Sequence, residues 1–109
     1  MDIDFASNAL AKSMASASNM QRTYGDLSRR LKLRLDLLYL ADCLADVPTT
    51  PPPRRHLLTG EYAGHFAVDI SGNWRLVFKP SQPVPVSPDG STDLKAVTSI
   101  TLIEVTDYH

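Results

Sequence analysis

Along residues 66–80, FAVDISGNWRLVFKP, apolar and polar side chains alternate in two stretches separated by Ser71-Gly72-Asn73. A period of two sends successive side chains to opposite faces of a strand, and a polar triplet containing glycine reverses the chain. Residues 66–70 and 74–78 are therefore predicted to be the arms of a β-hairpin. In the second arm Trp74, Leu76 and Phe78 share one face, and Arg75, Val77 and Lys79 share the other. In the first, Phe66, Val68 and Ile70 oppose Ala67 and Asp69. Residues 97–106, VTSITLIEVT, are β-branched almost throughout and apolar on both faces, which predicts an interior strand.

The N-terminal half has a different rhythm. From Ser7 to about Tyr24 helix formers dominate, with Ser7 as N-cap, although Ser16, Ser18 and Asn19 weaken the middle. Gly25 fits a helix stop and Asp26 the N-cap of a second helix. Residues 27–45, LSRRLKLRLDLLYLADCLA, alternate briefly like a strand, but they lack β-branched residues and run too long for one. Read as a helix, this segment carries two stripes: Leu27, Leu31, Leu35 and Leu38, and nearly opposite them Leu33, Leu37, Leu40 and Leu44. Two apolar sides need two partners. One is the sheet; the other is the first helix, a partner protein, or both. Residues 2–6 read as a short edge strand or a tail. The proline-rich stretch 47–53 ends the second helix as a stiff connector, and 80–95 reads as a long polar loop. The order helix, helix, hairpin, strand predicts an α+β fold, with two N-terminal helices packed on a small, mainly antiparallel β-sheet.

The chain's 109 residues suit one small domain. No stretch resembles a transmembrane span, and the opening MDIDFASNALAKS has acids and no apolar secretory core. Cys43 is the single cysteine, so there is no intrachain disulfide; it reads as a packed thiol, and a cytoplasmic location is the default. A net charge of −1 argues against a broad nucleic-acid-binding surface. The cations are clustered, however, at Arg29, Arg30, Lys32 and Arg34, at Arg54 and Arg55, and at Arg75 and Lys79, so a local basic surface is compatible with a near-neutral whole.

Chemistry concentrates at Arg75 and at the tail. If Trp74, Leu76 and Phe78 face the helices, Arg75 projects from the other side of the sheet, always charged and held by its strand. There it can clamp a phosphate or steady charge on a phosphoryl group in transfer; the plain alternative is a salt bridge to Asp69 on the facing strand. Asp107, Tyr108 and His109 offer a carboxylate, an aromatic platform and an acid–base group, or simply a frayed end. His56, beside Arg54 and Arg55, is placed to face the same surface, whereas His65 reads as structural or solvated. No Ser/His/Asp triad, metal-ligand spacing or Gly-rich phosphate loop stands out.

RTYGDLSRRLKLRL, RRHLLTGEYAGHFAVDISGNWRLVFKP and the closing TLIEVTDYH together resemble the HigB-like branch of the RelE/ParE toxin superfamily, in order, spacing and ending, over about residues 20–109. The most specific parts are the G-x-F-A-V-D-[IL]…WRL[VI]F segment and the terminal V-x-D-Y-H. The resemblance implies a single toxin domain over residues 1–109 that is a small endoribonuclease (an mRNA interferase). It would cut messenger RNA at the ribosome with the RNA's own 2′-hydroxyl, without metal or cofactor, and arrest growth. It also implies a HigA-like helix-turn-helix antitoxin as partner, and no membrane. The family's strand arginine falls on Arg75, its tail residues on Asp107, Tyr108 and His109, and the histidine of its L-H-x-L-K-G segment on His56. Thr59 stands where that segment usually has lysine, leaving Arg54, Arg55 or Lys79 to supply the cation that contacts RNA. The rival expectation is a non-catalytic module of the same fold that works by pairing with an antitoxin.

Overall fold

The computed structural model describes residues 1–108, leaving His109 outside the described residues. Its sheet has five strands: β1 (Asp2–Phe5), β2 (His56–Leu57), β3 (Phe66–Asp69), β4 (Trp74–Pro80) and β5 (Ser99–Asp107), in the order β1-β5-β4-β3-β2. β1 runs parallel to β5 and every other pairing is antiparallel. The predicted hairpin is β3–β4, and the predicted interior strand is β5, lying between β1 and β4. Residues 2–5 are thus an edge strand. β2, only two residues long, carries too short a pattern to be read from the sequence.

The helices are α1 (Asn8–Ser13), α2 (Ala17–Tyr24) and α3 (Ser28–Leu40). Ser7 caps α1 as expected, its hydroxyl accepting from the Leu10 amide at 3.1 Å. The single helix expected over 7–24 is broken because Ser16 caps a new start, accepting from the Asn19 amide at 3.1 Å. Gly25 ends α2 at φ 54°, a conformation glycine adopts freely. Asp26 is not the cap of the next helix: it lies inside a 3₁₀ turn, Gly25–Leu27, that runs into α3.

α3 stops at Leu40, short of the expected 45, and Ala41 turns extended. Tertiary pairing overrides helix propensity here. Leu44 donates its amide to Val97 O at 2.9 Å and is fully buried, so the chain must leave the helix to deliver it. The carbonyls freed at the helix end accept from the Met1 amino group, at 3.1 Å from Leu38 O and 2.8 Å from Tyr39 O. The stretch 80–95 folds back on itself through the bridge Val86–Thr92, and Leu94 O accepts from the Ala45 amide.

The main core lies between α3 and the sheet: Leu31, Leu35 and Leu38 meet Leu76, Phe78, Ile100 and Leu102. The second stripe of α3 is only half covered: Leu37 packs against the core and Leu44 leaves the helix to be buried, but Leu33 and Leu40 are bare. Leu33 is 55% exposed and Leu40 83%, and Tyr39 joins them at 53%. A smaller cluster, Leu58, Ala67 and Val77 with Tyr62 and Ile103 against it, occupies the outer face of the sheet.

One irregularity sets the geometry of that outer face. Phe78 pairs with Leu102 and the preceding β4 residue, Val77, pairs with Glu104, so Ile103 is the extra residue of a β-bulge. Beyond it the faces of β5 exchange. Ile100 and Leu102 face the helices, and after the bulge Val105, opposite Leu76, does so too. Glu104 stands opposite Val77 and Thr106 opposite Arg75, on the outer face. An unbroken period of two would have kept residues 104, 106 and 108 on the face of Ile100 and Leu102.

Candidate active site

Arg75, the second residue of β4, projects on the outer face, as the alternation requires. Its Cζ lies 4.8 Å from the ring centre of Tyr108 and 5.5 Å from that of Tyr62. A guanidinium so close to two aromatic faces gains about 0.5–2 kcal/mol from each. Its Nε is buried and has no hydrogen-bond partner among the described residues. The salt bridge to Asp69, the plain alternative for this arginine, is not formed. The two residues pair across β3 and β4, but the Asp69 carboxylate is occupied elsewhere.

Its partner is Arg54. Nε of Arg54 donates to Asp69 Oδ2 at 2.6 Å and Nη2 to Oδ1 at 3.1 Å, a two-pronged pair. Arg54 sits at φ 45°, left-handed backbone that costs a residue with a Cβ about 1–2 kcal/mol. The Asp69 backbone is pinned as well, its amide donating to Pro53 O at 2.7 Å and its carbonyl accepting from Arg34 Nε at 2.5 Å. The proline-rich connector and α3 therefore both converge on this aspartate.

Tyr108 closes the network. Its amide donates to Asn73 O at 2.8 Å, so the residue is an ordered continuation of β5 and not a frayed end. The hydroxyl donates to Asp69 Oδ1 and accepts from Arg54 Nη2 at 2.8 Å. Burial, followed by the bond to Asp69 and that carboxylate's charge, raises the Tyr108 pKa above the ordinary tyrosine value, so the hydroxyl keeps its proton near neutrality. Burial pushes Asp69 the other way from its net shift. The hydrogen bonds from Arg54 and Tyr108, with the charges of Arg54 and His56, outweigh it and hold the carboxyl below its usual range.

His56, on β2, stands across from Tyr108 with ring centres 6.5 Å apart and planes 20° from parallel. Its Nδ1 lies 2.8 Å from Arg54 O. A carbonyl only accepts, so Nδ1 carries the proton and Nε2 of the neutral ring carries the lone pair. Nε2 is 3.5 Å from the Tyr108 oxygen, whose own proton goes to Asp69. The ring therefore presents a lone pair toward the Tyr108 hydroxyl.

Arg75, His56, Tyr108 and Arg54 thus come together. Other expected residues lie apart. Asp107 pairs with Trp74, which places it on the helix-facing side of the sheet, away from Arg75. Lys79 shares the outer face but is four residues along β4, about 13 Å away at strand spacing. Arg55 turns back to Val47 O at 3.0 Å, and burial lowers its pKa. Thr59 is exposed at the start of the 60–62 turn. Three residues join the site without having been singled out. Asp69, which ends the F-A-V-D of the hairpin, reads from the sequence only as a salt-bridge partner for Arg75. Tyr62 and Glu104 meet by a contact across the sheet that no local pattern announces.

A YoeB/ParE toxin from Agrobacterium tumefaciens superposes on this structure with a TM-score of 0.55 at 15% identity, covering all of both chains. YafQ from E. coli strain BL21(DE3) gives 0.57 at 14% identity, over 97% of this chain and 91% of that one. A chain of the YoeB–YefM complex from Staphylococcus aureus gives 0.54 at 14% identity, over 100% and 97%. No family model matches the chain, and no curated protein matches its sequence. The fold is the α+β fold seen in the YoeB/ParE and YafQ structures, with the five-stranded sheet and its helices on one face.

Proposed function

We propose that this protein is the toxin of a type II toxin–antitoxin pair, HigB-like in kind, and that residues 1–109 form one endoribonuclease domain acting on messenger RNA at the ribosome. The observation that carries this reading is Arg75, held over two tyrosines with a buried Nε that has no partner among the described residues, while His56 stacks on Tyr108, one of those same two rings. That is a fixed positive charge and a base gathered around one tyrosine, which is what transesterification of RNA needs.

In this reaction the 2′-hydroxyl adjoining the scissile bond attacks phosphorus and gives its proton to His56 Nε2. Arg75, with Arg54 behind it, steadies the charge that builds on the non-bridging oxygens. The bond from phosphorus to the 5′-oxygen breaks and that oxygen takes up a proton, for which the family resemblance offers His109. The products are a 2′,3′-cyclic phosphate and a 5′-hydroxyl. The Tyr108 ring, moored at its hydroxyl, orients a base or the arginine. A cleft of about 350 Å³ beside Asp69, lined by Arg30, Arg34, Pro51, Pro52 and Gly72 among others, gives the RNA backbone a basic approach.

A HigA-like helix-turn-helix antitoxin fits the same reading. The Staphylococcus aureus structure holds a toxin of this fold in complex with YefM, and Leu33, Tyr39 and Leu40 offer a partner an apolar face on α3. The rival reading, a non-catalytic module that only pairs with an antitoxin, draws on Thr59, which leaves no cation just before Gly60. Expression in a bacterial host, with RNA ends mapped, decides between them. The ribonuclease reading expects growth arrest, relief by the antitoxin, and cyclic-phosphate ends from purified protein, on ribosomes or on free RNA in EDTA. Folded protein that neither slows growth nor cleaves RNA in either setting overturns it.

A further inference from the structure

Arg75 is walled on two sides, and only one wall is explained by the network around Asp69. The other is Tyr62, which lies in the turn between β2 and β3 yet sends its hydroxyl over the sheet to Glu104 of β5. Thr106 stands opposite Arg75, with Glu104 two residues before it and Tyr108 two residues after. The two aromatic contacts to the guanidinium, 5.5 Å from Tyr62 and 4.8 Å from Tyr108, therefore arrive from either side of one register position. Each ring is moored at its hydroxyl by a carboxylate, Tyr62 by Glu104 and Tyr108 by Asp69. A tyrosine fixed at both ends is hindered from swinging away, and a guanidinium flanked by two moored rings loses freedom to turn.

We infer that Glu104 and Tyr62 form a positioning pair for Arg75: Glu104 holds the Tyr62 ring, and the ring holds the guanidinium in the orientation its phosphate contact requires. Neither residue touches the reacting atoms. Preorganisation of this kind acts on the transition state more than on binding, because a charge that must first be oriented loses part of its stabilisation. The benefit for cleavage rests on the ribonuclease reading; the hold on Arg75 does not.

The experiment follows the Arg75 Nε–H signal by ¹⁵N–¹H NMR of the whole protein, assigned by its loss in Arg75→Lys, alongside RNA cleavage kinetics. In the parent, ring currents shift this proton upfield and burial slows its exchange. In Glu104→Ala and in Tyr62→Phe the proton moves towards the free guanidinium position. Its exchange speeds up about tenfold or more, and kcat falls about tenfold with KM nearly unchanged. Glu104→Gln, which keeps an oxygen for the Tyr62 hydroxyl, restores both. Tyr62→Phe removes a single oxygen and keeps the ring, so it stands in if Glu104→Ala does not fold. An Arg75 signal unchanged in the folded variants overturns the inference whatever happens to kcat, since a fall in rate alone would place Glu104 against the RNA. A parent that cleaves no RNA overturns the ribonuclease reading, while the NMR measurement still decides whether the pair holds Arg75.

Discussion

Asp69 and Arg75 face each other across neighbouring strands, yet the aspartate binds Arg54 and Tyr108 and leaves the strand arginine with no ion pair among the described residues. A pair of opposite charges directly across a hairpin would normally combine. Here Arg54, held in left-handed backbone, takes both carboxylate oxygens first. An arginine spared from a salt bridge keeps its charge for a ligand. The first prediction follows: Arg75→Ala lowers cleavage by about ten- to a thousandfold. Urea denaturation should show a folded variant less stable by about 1–4 kcal/mol, the loss of the two ring contacts, with no Nε hydrogen bond among the described residues to add to it.

Asp69→Asn tests the network by pH. The folded carboxyl lies below its ordinary value, so its contribution to stability is present above the unfolded value of about 4 and is lost as pH falls through the lower folded one. Asp69→Asn should therefore be less stable than the parent at pH 7, and the gap should close as the medium is taken well below pH 4. A gap that stays constant with pH would remove the carboxylate's charge from the account.

Tyr108 has the opposite sign. Its folded value is raised, so its contribution is present below the unfolded value of about 10 and is lost as pH climbs through the folded one. Spectrophotometric titration should show one tyrosine ionising late, and Tyr108→Phe should abolish that step while keeping the ring over Arg75.

Removing residues 107–109 should abolish cleavage. From the sequence alone the loss of stability is expected to be small, as for an exposed end. The ties of Tyr108 to Asn73, Arg54 and Asp69 raise that expectation to about 1–3 kcal/mol, read by thermal or urea unfolding.

Leu33→Glu with Leu40→Glu addresses the bare side of α3. Both positions are mostly exposed, so stability should move by no more than about 0.5 kcal/mol per site. Copurification with the antitoxin should weaken if this face is its seat, and unchanged copurification would place the partner elsewhere.

The hairpin and the outward direction of Arg75 are legible in the sequence because a period of two leaves little freedom between Phe66 and Lys79. The helix break at Ser16 was half visible in its run of polar residues. The end of α3 was not, because Leu44 is a good helix former drawn away by its place in the core. The bulge was hidden for a related reason. Leu102, Ile103 and Val105 are apolar whether β5 is regular or shifted, so the pattern fits both arrangements. Tyr62 and Glu104 meet across 42 positions of sequence, beyond the reach of any periodicity.

The bulge at Ile103 works as a parity bit for the tail. With it counted, even-numbered residues after 103 share the arginine's side of the sheet; without it, odd-numbered ones would. One residue gained or lost in β5 would thus trade Tyr108 for Asp107 at Arg75 and leave every side chain of the tail chemically intact. A homologue with the same closing residues but a regular last strand would spell the same site and fail to build it.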